Sequence, residues 1–107
     1  MGKRARLKSI DELIEWGKSI LSDDDVYYEE MLEVFGEFDK WAGDSEENEQ
    51  RIEEEIKAVT EKMVKDIVAD GPYCYAECRD VMRTRIKKLK VEGKPIRWYW
   101  KVFETRP

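Results

Sequence analysis

From Ser45 to Asp70 the chain runs without a glycine or a proline, and inside that stretch Ile52, Ile56, Val59, Met63 and Ile67 recur at spacings of 4, 3, 4 and 4. A repeat of three to four residues is the mark of one apolar face on an α-helix. Asp70-Gly71-Pro72 ends it, because glycine takes the helix cap and proline can open a helix but not continue one. A helix over about 45–70 reaches some 36 Å at 1.5 Å per residue. Such a rod is longer than most globular helices and carries only a narrow seam, so it is expected to protrude or to pair with a second chain. The same five residues are therefore the expected seam of a homodimer.

The neighbouring segments repeat the helical period. Ser9 and Glu12 form an S-x-x-E capping box ahead of Ile10, Leu13, Ile14, Ile20 and Leu21, which predicts a helix over about 9–22. The Asp23-Asp24-Asp25 run lacks the spacing of a calcium loop and reads as the cap of a second helix, about 25–42, whose Tyr28, Met31, Leu32, Phe35, Phe38 and Trp41 give it a broad apolar face. A fourth helix, about 73–92, carries Tyr75, Cys78, Met82, Ile86 and Leu89 on one side and meets Gly93 at its end. Beyond it Ile96, Trp98, Trp100 and Val102 alternate with other residues, which predicts a strand over about 96–103. A lone strand needs a partner, and the alternating arm from Lys3 to Lys8 is the only candidate, within the chain or across a dimer. The expected architecture is mainly α, a four-helix domain with a small terminal β element. At 107 residues one core is all the chain can build.

Charge is distributed unevenly. Lys3, Arg4, Arg6 and Lys8 give the first ten residues +4, and residues 79–107 carry +7; with the whole chain at −5, the residues between hold −16. A local field is set by groups within a Debye length of about 8–10 Å, so the basic ends can act independently of the acidic middle. Arg79, Arg83, Lys87 and Lys90 form a stripe at helical spacing, which Lys94 and Arg97 extend. Such a stripe matches a phosphate backbone, and the aromatic residues beside it could stack on bases. Together with Arg4 and Arg6 these are the candidate nucleic-acid-binding residues.

The stretch from Arg83 to Lys94, followed by Ile96-Arg97-Trp98-Tyr99-Trp100, resembles the end of a winged helix-turn-helix domain. The resemblance implies a recognition helix in the major groove, with Arg79, Arg83 and Lys87 facing the bases, and a wing touching phosphates. The competing expectation is a protein-interaction or assembly module, including a nucleic-acid mimic, that uses the acidic residues Glu46, Glu47, Glu49, Glu53, Glu54 and Glu55.

Catalysis finds little support: the chain has no His, no phosphate-cradling glycine loop and no nucleophile motif. No cofactor is expected. Cys74 and Cys78 supply two soft ligands where a zinc site wants four, so no metal is expected either; two buried reduced thiols are the expectation, with a disulfide as the alternative, since i and i+4 on a helix place the Cα atoms roughly 6 Å apart. One Asn, one Gln and abundant Glu, Lys and Arg resemble thermophilic composition. With no apolar run of membrane-spanning length and no apolar stretch of a signal peptide at the N-terminus, the expected location is the cytoplasm.

Overall fold

The computed structural model describes residues 7–105, which form five helices: α1 (Ile10–Leu21), α2 (Tyr28–Asp44), α3 (Glu46–Asp70), α4 (Pro72–Val91) and α5 (Trp98–Thr105). Local chemistry sets most of the boundaries. Ser9 Oγ accepts from the Glu12 amide at 3.2 Å and Ser45 Oγ from the Asn48 amide at 3.1 Å, each satisfying an N-terminal donor that the helix itself leaves over. Gly71, at φ 138°, supplies a backbone that L side chains rarely adopt, and with Pro72 it turns α3 into α4 in one residue. At the end of α4, Gly93 has φ 75°, its amide reaches Lys90 O and the Lys94 amide reaches Leu89 O, which is a Schellman cap.

The start of α2 differs from expectation. Asp23 Oδ1 accepts from the Asp25 amide, closing a turn within the loop, so the aspartates do not cap the helix. The helix opens instead at Tyr27, whose amide donates to Glu30 Oε1 at 3.0 Å.

The chain is mainly α, but the β element is overturned: no strand occurs among the described residues, and residues 98–105 are helix α5. Tyr99, Trp100 and Phe103 are the fully buried members of this segment. Their i, i+1, i+4 spacing is that of a helical face, and a strand would have sent Tyr99 and Trp100 to opposite sides. A lone strand also leaves its backbone groups unpaired, whereas a helix satisfies them internally. Of the arm expected to pair with the strand, Lys3 to Arg6 lie outside the described residues.

Phe35 of α2 is the centre of the core. The rings of Tyr99, Trp100, Phe38 and Phe103 surround it at centroid distances of 5.1 to 6.4 Å. Asp39, one turn further along α2, holds α5 in place by accepting from the Tyr99 hydroxyl and, at 3.0 Å, from Trp100 Nε1. Where α1 crosses α2, Gly17 lets the Phe38 ring approach so closely that an added Cβ would stand 2.7 Å from it.

Helices α1 and α3 lie parallel: Asp11 pairs with Arg51 at 2.8 Å and Lys18 with Glu55 at 3.0 Å. Helix α3 does not protrude, and three of its five seam residues are used within the chain, while Val59 and Ile67 stay half-buried. Its 25 residues span about 37 Å at 1.5 Å each, matching the 37 Å longest dimension of the fold, and Ile52, Ile56 and Met63 are buried in the chain's own core. No helix among the described residues is long and apolar enough to cross a membrane.

Candidate functional site

The predicted basic stripe does not stand free on the surface. Arg83 turns inward, where its Nε donates to Phe103 O at 3.0 Å and its Nη2 to Glu104 O at 3.2 Å, binding the last carbonyls of α5. Lys90 donates to Glu104 at 2.8 Å, and this hydrogen bond, more than the charge itself, holds the Glu104 carboxyl below its ordinary value. Arg97, with only 14% of its side chain exposed, bridges Glu49 at 3.1 Å and Asp39 at 3.5 Å. Arg79 lies over the Tyr75 ring, 5.9 Å from its centroid. Lys94 sits 3.4 Å from Glu92, and Lys87 is exposed beside Lys88. Arg4 and Arg6 lie outside the described residues. Trp100 is buried and Trp98 half-buried, so neither offers a ring face fully open to a base.

Packing is more open beyond the end of α1. Parallel to α3, α1 has 12 residues, about 18 Å, and stops at Leu21 while α3 continues from Val59 to Asp70. The gap left beyond α1 is a groove of about 540 Å³. Leu21 and Met63 are buried in its floor, and Val26, Val59 and Ile67 are half-buried in it. One rim is the α1–α2 loop with Asp23 and Asp24; the other is α3, where Lys62, Asp66 and Asp70 recur every four residues. Lys62 pairs with Asp66 at 2.9 Å, a hydrogen bond that raises its ammonium pKa, with the Asp66 charge and then Asp24 adding to the effect. Among the described residues, Asp23, Asp24 and Asp70 make no salt bridge.

This end of the bundle is apolar as well as acidic. It is where α1 and α3 finish and α2 and α4 begin, and it gathers Tyr27, Val68 and Tyr73, which are 59%, 39% and 80% exposed. Three of the seam residues, Val59, Met63 and Ile67, belong to the groove. The other groove residues escaped the sequence reading, although the four-residue spacing of Lys62, Asp66 and Asp70 was visible in it.

The two cysteines part company. Cys78 is buried against Met31, with a 3.8 Å sulfur–sulfur contact, and burial pushes its thiol up to about 11. Cys74 is exposed rather than buried, and no disulfide joins them. Among the described residues no group of three or more metal-binding side chains converges. Comparison with protein-family models, with curated proteins and with solved structures gives no match.

Proposed function

We propose that the chain is a non-catalytic interaction module whose acidic surface receives a basic partner protein. The observation that carries this reading is the contrast between the two signs of charge. The cations Arg83, Lys90 and Arg97 are engaged in holding α5 and its surroundings, while Glu46, Glu47, Glu53, Glu54 and Glu61 of α3 are exposed and make no salt bridge among the described residues. Like charges gathered on one surface raise the local concentration of oppositely charged partners and speed their encounter.

A second reading, nucleic-acid binding, rests on Lys87, Lys88 and Lys94, all exposed around the end of α4. Three phosphate contacts correspond to a salt slope near −2.7 for duplex DNA, taking about −0.9 per contact. Fluorescence-anisotropy titrations at low salt separate the two readings. A lysine-rich polar peptide should bind with an affinity that falls as salt rises, and mixed-sequence duplex and single-stranded DNA should not bind. Binding to DNA without binding to the peptide would transfer the function to the α4 lysines.

A further inference from the structure

We propose that the groove beyond the end of α1 is the docking site for a basic amphipathic helix of the partner protein, which inserts apolar side chains between the α1–α2 loop and the last turns of α3. The inference rests on the interaction-module reading and adds to it the shape of the partner and the place where it sits.

Three features specify the occupant. The first is length. Val59, Met63 and Ile67 span nine residues of α3, about 12 Å from first to last, which matches two turns of an incoming helix with apolar anchors at i, i+3 or i+4, and i+7. The second is charge. Asp23 and Asp24 on one rim and Asp70 on the other make no salt bridge among the described residues, and the one lysine of the lining, Lys62, is paired with Asp66, so lysine or arginine flanking the anchors would meet carboxylates on both sides. The third is the surrounding surface. Tyr27, Val68 and Tyr73 do not line the groove but are exposed close in sequence to residues that do, Val26, Ile67 and Asp70, and tyrosine is among the residues that interfaces favour. An acidic peptide would be repelled by the rims, and a purely polar basic strand would leave the floor wet.

The test uses the full chain and two labelled 14-residue peptides of equal lysine content. One places leucine at helical a and d positions; the other replaces each leucine with serine. The amphipathic peptide should bind about ten-fold or more tightly than the serine peptide, the scale of losing one or two buried anchors. Ile67→Thr should remove most of that preference while leaving serine-peptide binding unchanged. Because Ile67 is half-buried, the exposed pair Asp24→Asn and Asp70→Asn provides a second variant that does not touch the core, and it should weaken the amphipathic peptide at low salt.

Equal binding of the two peptides, indifferent to both variants, overturns the groove and leaves the acidic-surface reading standing. Failure of both peptides to bind at low salt overturns both readings. Concentration-dependent sedimentation that Ile67→Thr abolishes would give the groove to a second copy of this chain and overturn the proposal in that direction.

Discussion

Removing the Asp39 carboxylate should loosen α5 from the rest of the fold. It accepts from the Tyr99 hydroxyl and from Trp100 Nε1, and lies 3.5 Å from Arg97. In Asp39→Ala both aromatic donors lose their acceptor on a segment whose rings are otherwise buried, and each unsatisfied donor costs about 1–3 kcal/mol. Arg97 retains Glu49 at 3.1 Å, so its share of the loss is small. Asp39 itself is 21% exposed, which lets water recover part of the deficit. The expected net loss is about 3 kcal/mol, or a fall in Tm of roughly 10–20 °C for a domain of this size. Asp39→Asn keeps one acceptor oxygen and should lose about half as much. Urea unfolding followed by far-UV circular dichroism and by tryptophan fluorescence measures both variants, and a cycle with Tyr99→Phe should show coupling of about 1 kcal/mol or more. An Asp39→Ala protein within about 0.5 kcal/mol of the parent, the range of ordinary surface substitutions, would refute the assignment of Asp39 as the clamp on α5.

Two glycines in helices should respond with opposite signs: Gly36→Ala, with open space around it, should gain about 0.5–1 kcal/mol, whereas Gly17→Ala drives a Cβ into the buried Phe38 ring and should lose about 1–2 kcal/mol in chemical denaturation. Thr60 is fully buried with no hydrogen-bond partner for its hydroxyl among the described residues, so Thr60→Val should raise the unfolding free energy by about 1 kcal/mol. Burial raises the Cys78 thiol from 9.0 to about 11, and a group raised on folding contributes stability below its unfolded pKa that is lost as pH climbs. Stability should therefore decline between about pH 9 and 11 by an amount of order 2 kcal/mol, and Cys78→Ala should flatten that decline in pH-resolved melts. A thiol reagent added to the native protein should modify Cys74 quickly and Cys78 only on unfolding.

Where the sequence carries a local physical signal, the fold can be read from it. Ser9, Ser45, Gly71-Pro72 and Gly93 mark helix ends because capping depends on residues three or four positions apart. The aspartates before α2 misled because one of them spends its carboxylate on a turn inside the loop. In the C-terminal segment nearly every residue from Trp98 to Phe103 is apolar or aromatic. Alternation and a helical face then fit the sequence equally well, and only packing on Phe35 and Asp39 decides between them. The basic stripe is visible as a spacing, but the contacts of Arg83 and Lys90 with Glu104 depend on where α5 lies, which spacing does not encode. The groove was hidden for a similar reason: it arises from the register of α1 against α3, set by contacts such as Asp11 with Arg51 across 40 residues.

The distance along the chain between α2 and α5 has a consequence during synthesis. Asp39 and Trp100 are separated by 61 residues, which a ribosome adding about 5–20 residues per second takes some 3–12 s to cover. Throughout that interval Phe35 and Phe38 have been made but the rings that cover them have not. The helices before α5 can assemble from nearby contacts, but their shared apolar surface stays open until the final aromatic segment emerges. The nascent chain is thus most exposed to chaperones, and to aggregation with its neighbours, in the seconds before α5 emerges.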